Sequence, residues 1–372
     1  MSGIQSGGSV LRKRNSEIDA LKAFLICGVV LGHLIAAILP EWKSAVGLLV
    51  RQASLTHYFM PLFVAVAGYY FASTVQKYSS FAVIVNKAAE LLLPVCIWYG
   101  GYAILKEYDQ LSVKSLIWVL CNGIYGQLWF LVSTFVSLVL IVLLRCLARG
   151  NSSLFIVLAC LLGIALHFVH VPGIYFLKWN YHVPYLFPFA VLGYLFGLQK
   201  SCWPLVNVKC RAICVAVYVV LCWYVPENMS HWKTGTCLFS GAYSWQEIAW
   251  CSVYRDVIAA LGIVSMVPLL RYIWKFLNRN AFIVRVTVLV GQNTLAIYVL
   301  QSFVVERWIH GMSLYKYAFV QEHSSLIYWM VIPIGALMIT VSLTYVCVWL
   351  KRIPYIGKLL FGCKVISVQK TP

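Results

Sequence analysis

Three observations predict an all-α, polytopic integral membrane fold with about ten transmembrane helices and both termini in the cytoplasm. Hydrophobic residues fill 62% of the 372 positions, and only 11% are charged. Apolar runs approaching the roughly 20 residues that cross a bilayer as a helix recur along the whole chain. Basic residues gather at alternate ends of those runs. Such a composition excludes an ordinary soluble domain, and no polar stretch is long enough to house one.

The elements follow in order. Residues 1–15 read as a flexible basic tail: MSGIQSGGSV is rich in Gly and Ser, and Arg12, Lys13 and Arg14 come next. A basic cluster before an apolar run also opens a signal peptide. Here Asp19, Lys22 and His33 interrupt the run and no A-x-A site follows, so the segment reads as a retained span. Spans are expected near 18–39, 55–76, 88–105, 126–146, 153–169, 183–199, 211–225, 252–270, 286–305 and 326–350. The span at 183–199 carries Pro184, Pro188, Gly193 and Gly197, which marks it as short or broken. The stretch 113–122 reads as a re-entrant or interfacial piece. The membrane domain therefore covers 16–352, followed by a basic cytoplasmic tail over 353–372. No strong internal repeat argues for a repeat-built transporter.

Charge tests this layout. With the N-terminus inside, the outer loops hold only Lys43, Arg51, Lys106, Lys114, Lys178, Lys233, Arg255, Arg307 and Lys316 of the 29 basic residues. Acidic residues split the other way, with Glu306 among those placed outside. The net charge of +18 thus follows from topology and contact with anionic lipid, and requires no nucleic acid partner.

The first span is the most informative. Asp19, Lys22 and His33 lie on one stripe, because a helix turns about 100° per residue and so brings Lys22 within about 20° and Asp19 within about 40° of His33. An ionisable group at mid-bilayer costs about 2.5–3.5 kcal/mol on insertion scales, so three in one span imply a use. Asp19 and Lys22, three apart, can pair. His33 lies about 16 Å further along, past the midplane, where an imidazole can serve as a general base.

The other titratable groups are less telling. The 13 cysteines are scattered without CxxC or metal-ligand spacing, and only Cys237 and Cys251 suggest a disulfide. The 8 histidines form no metal motif. His167, His170 and His182 read as interfacial, and His57 as an acceptor-site residue.

At this level a resemblance emerges. Arg14 followed by IDALK, with a basic residue, Lys22, eleven positions before the histidine in VVLGH, resembles the first helix of the acyltransferase-3 membrane O-acyltransferases. FMPLFVAVAGYYF at 59–71, the run Gly126-Gln127-Leu128-Trp129-Phe130-Leu131, and GQNTLAIYVLQ at 291–301 are similar to later family motifs, in the family's order. Two departures stand out. The family commonly has two arginines three apart where this chain has Lys87 and Glu90, and often a histidine where it has Gln301. Some relatives also carry an extracytoplasmic hydrolase-like domain, which is not expected here.

The resemblance implies transfer of an acyl group, usually acetyl, from acyl-CoA to a hydroxyl of a cell-surface glycan or lipid-linked sugar in a bacterial inner membrane. Acetyl-CoA would be a cosubstrate, with no tightly bound cofactor or metal. On that reading His33 takes the hydroxyl proton, Lys22 orients the CoA arm, and Asp19 holds Lys22. Arg14, Lys87, Arg145 and Arg149 would meet the anionic CoA. His57, Gln127, Trp129, Asn293, Tyr298 and Gln301 are the residues that would line the acceptor or supply an oxyanion donor. A transporter or flippase for a glycan or small solute would use the same buried charges. Oligomeric state leaves no mark in the sequence.

Overall fold

The computed structural model describes residues 15–39, 58–106, 128–168, 182–199, 208–223, 245–353 and 355–362. Among these the chain is helical, with no β-strand. Helices satisfy every backbone group within the segment, which a hydrocarbon solvent demands.

Helix α1 spans Ser16–Ile38 and starts where Asn15 accepts the backbone N–H groups of Glu17 and Ile18. Helix α2 covers Phe59–Lys77, α3 Ser80–Lys106, α4 Trp129–Ala148, α5 Ser152–Phe168 and α6 Val183–Gln199. Helix α7 covers Val208–Trp223, α8 Trp245–Leu277, α9 Ala281–Gln292 and α10 Thr294–Phe303. A π-helical segment, Val304–Ile309, extends α10. A second π-helical turn, Ile327–Val331, leads into α11, Ile332–Arg352, and α12 is the short Ile356–Phe361.

Six of these helices are long and apolar enough to cross a membrane, and α9 with α10 forms a seventh candidate bent by 74°. Three further apolar helices, α5, α6 and α7, are shorter and coincide with expected spans. The polytopic all-α class is thus as expected; among the described residues, length and composition support six or seven spans, which leaves the count of ten unconfirmed. Large apolar side chains such as Phe81, Leu147 and Ile213 point outward, as in a lipid-facing surface.

Helix α1 is the hub. It packs against α2, α8, α9, α10, α11 and the first π-helical segment. Its N-terminal end is tied to the far end of α8 by an ion pair, Arg271 Nε to Glu17 Oε1 at 2.8 Å, so α1 and α8 run antiparallel. Gly291 of α9 lies directly on the backbone of Asp19, where any side chain would collide with the Asp19 carbonyl.

The α2–α6 pair makes the most extensive helix contact in the fold. A Cβ at Gly193 would run into the Ala65 carbonyl oxygen, and one at Gly68 into that of Ala190. The glycines of 183–199 therefore do not break the helix, as the sequence suggested; they let two backbones meet, as small residues do between membrane helices.

A second correction concerns Lys87 and Glu90. The third helix begins at Ser80, not near 88, so both residues lie within α3 one turn apart. The chain also folds back after α11: Trp98 Nε1 of α3 donates to the Leu360 carbonyl of α12 at 3.0 Å, and Gly362 packs on the Glu90 backbone.

Candidate active site

The stripe on α1 survives as geometry. Lys22 Nζ lies 2.8 Å from Asp19 Oδ1, and the Asp19 side chain is almost fully buried. The local pair offsets part of the cost of placing either charge there. Further along α1, His33 Nδ1 lies 3.1 Å from Glu306 Oε1. The His33 side chain keeps 34% of its surface, against 16% for Glu306, so the ring is reachable while the carboxylate is sheltered.

Glu306 was assigned from sequence to an outer loop, and this is corrected: it lies in the π-helical extension of α10, against α1. Two irregularities bring it there. The chain bends by 74° between α9 and α10, and the wider π turn then re-aims the side chains that follow. Neither is readable from hydrophobic periodicity. The one available signal was a carboxylate directly abutting an apolar run, in VLQSFVVERW.

Gln301 and Asn293 support this arrangement. Gln301 is fully buried five residues before Glu306, and its Nε2 donates to Ser302 Oγ at 3.3 Å. Asn293 closes the bend. Its Nδ2 donates to the Leu289 carbonyl at 2.8 Å, and its Oδ1 accepts from Lys351 Nζ at 2.7 Å. With both ends of the amide engaged, Asn293 serves the backbone break.

Toward the other end of the stripe a cavity of about 230 Å³ opens between α1, α2, α3, α4 and α10. Lys22, Lys87 and Glu90 line it together with Phe130, Thr294 and Tyr298. Lys87 Nζ is held 2.6 Å from Glu90 Oε2. Each cation of the cavity thus has a carboxylate partner, Asp19 for Lys22 and Glu90 for Lys87. Tyr298 packs edge-on against Phe130, their ring centres 5.7 Å apart.

Arg145 and Arg149 lie elsewhere. Arg145 donates to the Tyr194 hydroxyl at 3.3 Å and lines a separate pocket of about 180 Å³ with Asn151 and Ser152. Arg149 caps α4 in a left-handed conformation, φ 47°. Trp129 stacks on His182 at 3.8 Å. Arg14, His57, His170 and Gln127 lie outside the described residues, as do the side chains of Cys237 and Cys251 and the stretch 113–122. Among the described residues no group of His, Cys, Asp and Glu could hold a metal ion.

A His–Glu pair that joins the first helix to the π-helical segment, a cavity lined by Lys22 and Lys87 on the same stripe and a helical membrane scaffold agree with one further observation. The description of a family of acyltransferase domains matches residues 15–353, nearly the whole chain. The chain belongs to the acyltransferase-3 family. It is a multi-pass membrane acyltransferase. Among curated proteins it is similar to the nodulation protein NolL of Mesorhizobium japonicum, 25% identical over 300 residues that cover 78% of this chain and 76% of the relative. It is equally similar to NolL of Sinorhizobium fredii, 25% identical over 298 residues and 78% of each chain. No solved structure matches.

His33 Nδ1 faces Glu306 Oε1 at 3.1 Å, near enough for the carboxylate to orient the ring electrostatically, as it does in a His-based acid–base pair.

Proposed function

We propose that this acyltransferase moves an acyl group, acetyl first among the options, from acyl-CoA to a hydroxyl of a cell-surface glycan or lipid-linked sugar, at a bacterial plasma membrane. The observation that carries the reading is the His33–Glu306 pair, one stripe away from a cavity lined by Lys22 and Lys87.

The chemistry runs along α1. His33 Nε2 removes the proton of the acceptor hydroxyl as its oxygen attacks the thioester carbon. The C–O bond forms, the C–S bond breaks, and the CoA thiolate leaves to take up a proton. Glu306 stabilises the imidazolium formed between these events. Lys22 and Lys87 meet the anionic portions of the donor from the cytoplasmic side, and the thin pantetheine arm extends toward His33. Tyr298 and Thr294, which line the cavity near Lys22, are the hydroxyls available to the thioester region. NolL is, by its name, a protein of nodulation; a secreted or surface glycan is the acceptor class consistent with that.

The test is release of CoA thiol from acetyl-CoA by purified protein, with and without surface glycan extract, joined to mass spectrometry of the glycan. Acceptor-dependent release and an added acetyl mass support the reading. Solute flux without CoA release would replace it with transport.

Two substitutions probe the donor end. Lys22→Ala removes the cation but not the base, so the KM for acyl-CoA rises about tenfold, the worth of a charge-assisted contact; Lys22→Arg keeps most affinity. A Lys22→Ala enzyme with an unaltered KM would end the donor role. Glu90→Gln releases Lys87 from its partner, so donor affinity improves about two- to fivefold, the range of one partly exposed ion pair. Weaker donor binding in Glu90→Gln would show that the carboxylate itself contacts the donor.

A further inference from the structure

A second feature lies on the opposite flank of the helix bundle. An apolar groove of about 660 Å³ runs between α5, α6 and α8, lined by side chains such as Ile156, Ile164, Leu192 and Val253. These residues remain exposed, so the groove opens sideways to the hydrocarbon of the membrane. Its volume falls in the range of small-molecule sites, roughly 300–1,000 Å³.

One end of the groove is polar. His167 and Asp256 line it, with His167 Nε2 3.3 Å from Asp256 Oδ2. The other imidazole nitrogen, Nδ1, lies 2.7 Å from the Gly163 carbonyl, whereas Nε2 is buried and has no hydrogen-bond partner among the described residues. Arg255 stands beside Asp256, Nε to Oδ1 at 3.7 Å, too far for a hydrogen bond. Its guanidinium is buried, stacked over the Tyr185 ring at 4.4 Å and within electrostatic reach of His182. His182 is in turn stacked on Trp129. Arg255 Nε, Arg255 Nη2 and Asp256 Oδ1 are buried and have no hydrogen-bond partner among the described residues. Unmet donors beside an unmet acceptor in apolar surroundings are costly, and a ligand that satisfies both recovers that cost.

We infer that this groove is a lateral binding site for a glycolipid: the apolar chain lies along α5, α6 and α8, and a sugar hydroxyl donates to Asp256 Oδ1 while accepting from Arg255. The complementarity decides the occupant. A hydroxyl is donor and acceptor at once, whereas a phosphate ester brings only acceptors and would face the Asp256 carboxylate.

The site is at the right depth. Phe59 touches Gly28 of α1, and its neighbour Tyr58 touches Gly262 of α8, so these two positions share a level. His33 lies five residues beyond Gly28, about 7.5 Å, and Arg255 seven residues before Gly262, about 10 Å, on helices that run antiparallel. The base and the sugar-binding end thus stand at similar heights. The inference rests on the acyl-transfer reading for its purpose, but not for its binding test.

That test uses the full chain in phosphatidylcholine nanodiscs and radiolabelled digalactosyl diacylglycerol. Saturable binding is expected, without displacement by added phosphatidylcholine. Ile164→Trp and Val253→Trp, which fill the groove from its lipid side, weaken binding about tenfold, as does Asp256→Asn, the worth of a hydrogen bond to a charged group. Unchanged binding in both tryptophan variants overturns the proposal even if Asp256→Asn fails to fold. Equal displacement by phosphatidylcholine overturns it too, by making the groove an ordinary lipid contact. Glycolipid binding by a protein that releases no CoA thiol refutes acyl transfer and leaves this site standing. Release to a tail-less oligosaccharide, with no glycolipid binding, refutes this site by itself.

Discussion

His33→Ala lowers acceptor-dependent CoA release by between about a hundredfold and ten-thousandfold, the range a positioned general base contributes. The loss falls on kcat. Donor binding persists, because Lys22 and Lys87 line a cavity that does not include His33. Glu306→Gln keeps the size and polarity of the partner but removes its charge, so the imidazolium loses its stabilisation and the rate falls by a smaller factor, about tenfold. The double variant is no worse than His33→Ala, since a carboxylate that acts through the imidazole has nothing left to act on. Thiol release by single-turnover assay, with monodispersity as the check on folding, measures all three. Full activity in His33→Ala would remove the base from this residue.

Gly193→Val abolishes stable assembly of the protein. The Cβ would enter the space of the Ala65 carbonyl oxygen, and both partners are backbone, so neither can rotate away. Overpacking of a side chain costs about 1–3 kcal/mol where neighbours can yield, and more where they cannot. Fluorescence-detected size exclusion should show loss of the monodisperse peak. Gly100→Ala in α3 is the control: nothing lies within 4 Å of the added methyl. It should be neutral or stabilising by up to about 1 kcal/mol, from the lower conformational freedom of alanine. A monodisperse Gly193→Val protein with an unchanged melting temperature would show that α2 and α6 do not meet this closely.

These two results divide what the sequence could say from what it could not. The α1 stripe was legible because it needs only one helix: a fixed turn per residue puts Asp19, Lys22 and His33 on one face wherever that helix goes. The Asp19–Lys22 pair followed for the same reason. Glu306 was not legible, since its direction depends on a bend at Asn293 and on a π turn that resets the register. Gly193 and Gly197 gave a misleading signal. Glycine weakens an isolated helix, and only the neighbouring α2 backbone turns that weakness into close packing. The span that carries Glu90 was expected to start near 88, because the apolar run starts late; the helix itself starts earlier, at Ser80, and includes Lys87. The Arg255–Asp256 end of the groove joins α5, α6 and α8, and no local pattern announces it.

The pairing of residue 33 with residue 306 also bears on biogenesis. The first helix leaves the ribosome early, with Asp19 and Lys22 able to neutralise each other within one turn. His33 must wait until α10 has been threaded into the bilayer and bent into place. The acid–base pair is therefore finished only near the end of translation. A chain stalled before residue 306 can insert its first helices and yet lacks the partner of His33, so this part of the site is complete only in a nearly finished chain.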